Sequence, residues 1–178
     1  MASAASGEEF PVYDPGNFYF GFPHLTDKNH KATSKATPQP LKVVKPYYVY
    51  NCFAFVVGDK KKFWWPGGYG YWPRTPSEDT VNELIYVLVK WFGYEPCING
   101  IFEPGVTKVA IFSNFGEPTH VAIQLSSRMG VWKSKMAYNI DMEHELHAIE
   151  TWDCDDPKTQ GFGKVVQFMR LVKSKRYP

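Results

Sequence analysis

The chain has little of what marks secreted, membrane-spanning or repeat proteins. Its first ten residues contain no basic segment followed by an apolar one, and no apolar run approaches the ~20 residues of a membrane helix. No internal repeat is present, which excludes a solenoid. These absences predict a cytoplasmic protein with no membrane partner.

An excess of one charge is also missing. The sequence holds 20 basic and 18 acidic residues, for a net charge of +2. A balance of this kind predicts no nucleic-acid partner. The 178 residues suit one domain with a full hydrophobic core.

Cysteine is scarce, with only Cys52, Cys97 and Cys154, and no two of them are close in sequence. An odd number without close pairs argues against a disulfide framework and fits a reducing compartment. At least one thiol is therefore expected to be free.

Motifs for cofactors and metals are missing too. The chain has neither a phosphate-binding loop nor a GxSxG element, and His144 and His147 are one residue too close for the HExxH zinc motif. A metal site built from His144, His147 and Cys154 is the alternative to an ordinary surface helix. We predict no metal and no cofactor.

Two regions differ in composition. Residues 1–45 are rich in Pro, Gly, Ser, Thr and Lys and lack apolar periodicity, which predicts an extended or partly disordered arm. Its aromatic residues are expected to dock on the body: Phe18, Tyr19, Phe20 and Phe22. Residues 46–178 are expected to form one compact domain.

Helical signals come early in this domain. The run NCFAFVVG predicts a short helix that starts at Asn51 or Cys52 and ends at Gly58. A second helix is expected to be capped by Thr75, with Pro76 in its first turn, and to stop at Gly93. Between them, FWWPGGYGYWP is expected to be loop.

Strand signals follow. The stretches VTKVAIFSN, HVAIQLSS and VWKSKM predict consecutive strands, the last two joined by a turn at RMG. DMEHELHAIE reads as a short helix, and GKVVQFMRLV as a final strand. Helices followed by antiparallel strands predict an α+β fold.

Cys52 is the first candidate for chemistry. A helix start lowers a thiol pKa because free N–H groups and the helix dipole favour the thiolate. The alternative is simple burial, since free cysteine is among the most buried residue types.

A cysteine nucleophile needs a base, and His120 stands at the mouth of a predicted strand. A polar residue on the next strand, Lys133, Ser134 or Lys135, can lie beside it, and Ser134 is the most suitable acceptor for its ring. Glu143 or His144 could reach the same place.

The order of these residues resembles the papain-like superfamily, within it the compact NlpC-type cell-wall peptidases and amidases. A closer resemblance is to an uncharacterised, mostly bacterial domain family with patterns such as NCxAWALG, WWWP, PTHAARQL, WTSKLG and IEHEL. The matching stretches run from about Tyr50 to the C-terminus: NCFAFVVG, FWWPGGYGYWP, PTHVAIQL, VWKSKMA and MEHEL. Phe55 stands where that pattern has Trp, and Ala137 where it has Gly.

The resemblance implies an α+β papain-like (NlpC-type) domain, with N-terminal helices packed on an antiparallel sheet. It also implies a cysteine hydrolase of peptide or amide bonds, with Cys52 as nucleophile and His120 as base. Apart from the resemblance, the pairing of the two strands favours Ser134 as the third catalytic residue, with Glu143 and His144 as alternatives. The Cys52 backbone N–H, with Asn51 or Tyr50, could stabilise an oxyanion.

The aromatic loop, residues 63–73, offers a different function. Its large rings could bind a peptide or a glycan, or could instead cover the core: Trp64, Trp65, Tyr69, Tyr71 and Trp72. The alternative to the hydrolase is therefore a non-catalytic binding module. In either case a peptide- or glycopeptide-like partner is expected.

Overall fold

The computed structural model describes residues 50–125, 127–136, 141–150 and 161–172, together with the backbone of 30–32. Most of the predicted N-terminal arm, its docking aromatic residues and Cys154 lie outside these residues. The boundary predicted between residues 45 and 46 stays a prediction.

Seven strands form one antiparallel sheet in the spatial order β1-β6-β5-β4-β3-β7-β2. The strands are β1 (His30–Ala32), β2 (Glu95–Cys97), β3 (Val106–Asn114), β4 (Glu117–Gln124), β5 (Val131–Lys135), β6 (Asp141–Glu145) and β7 (Lys164–Val172). A 3-10 turn, Leu146–Ile149, follows β6.

Two α-helices occur in the described residues: α1 (Cys52–Val57) and α2 (Val81–Phe92). The prediction of an α+β papain-like (NlpC-type) domain with N-terminal helices is therefore wrong. The helices have only 6 and 12 residues, and the fold is dominated by β-sheet. Neither helix is long and apolar enough to cross a membrane.

The first helix is where the sequence predicts it. The Asn51 side chain accepts the Ala54 N–H, and Gly58 ends the helix in the left-handed region at φ 79°. The strands predicted over VTKVAIFSN, HVAIQLSS, VWKSKM and GKVVQFMRLV are also confirmed.

Two local predictions are wrong. The second helix is capped by Thr80 rather than Thr75, because the Thr80 hydroxyl accepts the Glu83 N–H. The stretch DMEHELHAIE forms β6 and the 3-10 turn rather than a helix.

Side chains alternate between the two faces of the sheet, and each face carries its own core. The helix-bearing face packs against α1, α2 and the aromatic loop through Val109, Ile111, Val121 and Met169. The opposite face, called here the histidine face, is built on Ala110, Phe112, Ala122, Trp132 and Met142.

Candidate functional site

Cys52 is the first residue of α1 and is only 5% exposed. Backbone N–H groups of Val121 and Phe53 lower its pKa, but burial acts more strongly and raises the pKa of the thiol to about 11. Burial therefore outweighs the favourable effect of the helix start on the thiolate.

His120 lies in the middle of β4 and is 1% exposed. Its ring stacks on Phe162 with 3.8 Å between centroids and meets Phe112 edge-on at 5.8 Å. Burial, with a smaller contribution from His144, lowers the pKa of His120 well below 6.5. Within the described part of the chain its Nε2 has no hydrogen-bond partner.

Cys52 and His120 belong to opposite faces of the sheet. Cys52 packs in the same core as Val121, on the helix-bearing face. His120 precedes Val121 in the strand and stands opposite Phe112, a member of the core of the histidine face. The structure thus brings the thiol to the backbone of β4 and not to the imidazole.

Ser134 and His144 form a buried pair on the histidine face. Ser134 Oγ lies 2.9 Å from His144 Nε2, and His144 Nδ1 lies 2.8 Å from the carbonyl oxygen of Glu145. A carbonyl can only accept, so Nδ1 donates to it, and in the neutral ring Nε2 is then the acceptor for the Ser134 hydroxyl. Both side chains are at most 2% exposed.

The other predicted positioning residues are engaged elsewhere. The Asn51 amide caps α1, donates to the Trp64 carbonyl at 2.7 Å and accepts the Trp64 N–H. Glu143 forms an ion pair with Arg128. Asn51 thus links α1 to the aromatic loop, and Glu143 pairs with a basic side chain.

Three tryptophans anchor the aromatic loop, because each indole N–H donates to a carboxylate. The pairs are Trp64 with Asp59 at 2.8 Å, Trp65 with Asp79 at 3.0 Å, and Trp72 with Glu83 at 2.8 Å. Glu83 also accepts two hydrogen bonds from Arg74. Trp64 and Trp72 are 7% exposed and belong to the core.

The same loop displays two tyrosines to solvent, Tyr69 at 68% and Tyr71 at 43% exposure. Backbone hydrogen bonds join Tyr71 to Phe63 and Trp65. At Gly70 a Cβ would lie 2.6 Å from the Phe63 carbonyl oxygen, so this close approach requires glycine. The loop is therefore a fixed frame with two exposed rings.

Sequence reasoning missed the carboxylates that anchor this frame, Asp59, Asp79 and Glu83. A signal was available, since a buried indole N–H needs an acceptor and each tryptophan has an acidic residue within 14 positions. Each of these carboxylates holds one tryptophan of the loop in place.

Two clefts lie at the edge of the sheet in the described part of the chain, and neither is lined by Cys52 or His120. One of about 500 Å³ runs between Pro96–Ile98 and Val165–Phe168, at the edge of the sheet. Of the two histidines in the alternative metal site, His144 is buried against Ser134, whereas His147 lies 3.3 Å from Glu150. The described residues contain no group of three or more His, Cys, Asp or Glu side chains that could hold a metal ion.

The chain belongs to the family described as Domain of unknown function (DUF7689), whose model matches residues 42–170. This match agrees with the predicted resemblance to an uncharacterised domain family. It does not confirm the predicted resemblance to papain-like peptidases. No curated protein and no solved structure matches the chain.

Proposed function

We propose that the chain is a non-catalytic binding module that holds an extended peptide or a glycan against the exposed part of the aromatic loop. The observation that carries this proposal is the combination of three carboxylate-anchored indoles with the exposed rings of Tyr69 and Tyr71.

A fixed loop favours binding because the loop itself loses little conformational entropy when a ligand binds to it. Tyrosine adds a large contact area at low entropic cost and a hydroxyl that can hydrogen-bond. The loop meets both conditions, because its tryptophans are anchored and two of its tyrosines are exposed.

The hydrolase prediction has less support. It needs a thiol that ionises near neutral pH and a base within hydrogen-bond reach. Cys52 has a pKa of about 11, and His120 belongs to the other face of the sheet. Amide cleavage by this pair remains an untested prediction.

The proposal is tested by selecting ligands for the full chain from a phage-displayed library of 12-residue peptides and from a printed glycan array. Selected ligands are then titrated against Tyr69→Ala, whose ring is mostly in solvent. We expect an affinity loss of about tenfold or more, as for an aromatic anchor at the centre of an interface.

Trp91→Ala is the matched control, because Trp91 is 57% exposed on α2 and lies outside the loop. It should leave affinity unchanged. If no ligand is selected, or if Tyr69→Ala binds as tightly as the parent chain, the proposal is wrong.

A further inference from the structure

A cluster of aromatic rings and ammonium groups lies beside the aromatic loop. The rings of Tyr50 and Phe55 stack with 6.4 Å between centroids. Lys60 Nζ lies 5.7 Å from the Tyr50 centroid and 6.0 Å from that of Phe55. Lys133 Nζ lies 5.7 Å from the Phe55 centroid, and Lys135 Nζ 4.8 Å from that of Tyr50. We call these five residues the lysine–aromatic cluster.

Positive charge is in excess in this cluster. Asp141 approaches Lys135 at 4.0 Å and accepts the Tyr50 hydroxyl. Glu143 stands opposite Lys133 in the sheet but forms its ion pair with Arg128. Among the residues that the structure describes, no carboxylate lies within 4.0 Å of Lys60 or Lys133.

Crowded ammonium groups repel one another, and Lys60 contributes to lowering the pKa of Lys135, after the larger effect of burial. A bound anion would offset this repulsion. The Nζ atoms of Lys60 and Lys133 are both within 6.0 Å of the Phe55 centroid and are therefore no more than about 12 Å apart. Two carboxylates on alternate residues of an extended peptide, ~7 Å apart, can reach both.

The turn after α1 links the cluster to the proposed binding loop, because it carries Lys60 of the cluster. Lys62 follows Lys60 closely in the chain, and its Nζ lies 3.9 Å above the ring of Tyr71. A ligand on the exposed tyrosines therefore has lysines along its path.

We infer that the partner of this surface is an acidic peptide segment, whose Asp or Glu side chains are held by Lys60 and Lys133 while the peptide lies against Tyr69 and Tyr71. This inference rests on the proposed binding function and names the chemistry of its ligand. Charge complementarity favours a peptide over a nucleic acid, because the excess charge is confined to a few lysines and the net charge is only +2.

The experiment sequences the peptides selected from the 12-residue library by the full chain and by the double variant Lys60→Met, Lys133→Met. The parent chain should enrich Asp and Glu above the input library, and the double variant should lose that enrichment. For the best selected peptide, replacing its acidic residues by Asn or Gln should weaken binding by about tenfold, and its affinity should fall with salt.

Lys90→Met, at an exposed position on α2, is the matched control and should leave the selection unchanged. If selected peptides depend on Tyr69 but show no acidic enrichment, the charge inference is wrong and the binding function stands. If no peptide is selected, the acidic-peptide inference is overturned, and the binding function is overturned with it only if the glycan array also yields no ligand. If twelve-nucleotide oligothymidylate or a heparin hexasaccharide binds more tightly than the best peptide, the acidic-peptide assignment is wrong.

Discussion

The two faces of the sheet use polar residues in opposite ways. On the helix-bearing face, Lys62 and Lys133 lie at the margin of the core, where they contact the rings of Tyr71 and Phe55. On the histidine face, His120, His144 and Ser134 are buried inside the core. Polar groups at the margin of a core remain available to a partner, whereas polar groups inside it mainly set stability.

This difference follows from the two-residue period of a strand. His120 and Val121 are neighbours in sequence, but their side chains belong to different cores. Cys52 packs in the same core as Val121, and the side chain of the preceding residue, His120, lies on the other side of the sheet. Closeness in sequence to a contact of Cys52 therefore does not bring the imidazole to the thiol.

The largest effect is expected in the core beneath the aromatic loop. Phe53 is fully buried and contacts Trp72 at 5.0 Å between ring centroids. Phe53→Ala should lower the free energy of unfolding by about 3–5 kcal/mol, because it leaves a cavity. Urea denaturation measures it.

Tyr69→Ala, in the exposed part of the loop, is the control and should change stability by less than about 0.5 kcal/mol. A comparable loss in both variants would contradict the division of the loop into a buried frame and an exposed surface.

The next largest effect concerns the anchors of the loop. Glu83 is 5% exposed and accepts hydrogen bonds from Trp72 and Arg74. Glu83→Gln should cost about 1–3 kcal/mol, since it removes a charged acceptor and turns an amide toward donors. Glu78→Gln, at an exposed position, should be neutral in the same denaturation assay. Equal stability of the two variants would mean that the carboxylate does not anchor the loop.

Burial of His120 on the histidine face should make the free energy of unfolding depend on pH. In the unfolded chain His120 binds a proton below about pH 6.5, while in the folded chain its pKa is well below that value. The unfolded state then binds more protons, so stability falls as pH decreases through 6.5, by up to about 1.4 kcal/mol per pH unit from this group.

His120→Phe should remove that part of the slope between pH 6.5 and 5, measured by urea denaturation at each pH. Val166→Ala, which changes an exposed apolar side chain, is the control and should keep the parent slope. An unchanged slope in His120→Phe would show that the folded chain protonates His120 as readily as the unfolded chain does.

Much of the fold is visible in local sequence patterns. The Asn51 cap, the Gly58 and Gly93 stops and the β-rich stretches define α1, the end of α2 and four strands. The start of α2 was misplaced because Thr75 and Thr80 each have a glutamate three residues later, and local pattern alone does not choose between them.

The site was harder to predict, because it depends on long-range pairing. DMEHE has a helix-like composition, yet it pairs with β5, which buries Met142 and His144 together. The lysines of the lysine–aromatic cluster come from a turn after α1 and from β5, more than 70 residues apart. Only the sheet order brings them to the same rings.

The most direct test of this account is alkylation of the native protein by iodoacetamide between pH 5 and 9, read for each cysteine by mass spectrometry, in the parent chain and in His120→Ala. If the thiol and the imidazole belong to separate faces, Cys52 should react far more slowly than the partly exposed Cys97 at pH 7. Its rate should also be unchanged in His120→Ala. Fast, selective alkylation of Cys52 at pH 5–6 that disappears in His120→Ala would show a functional dyad and contradict the account.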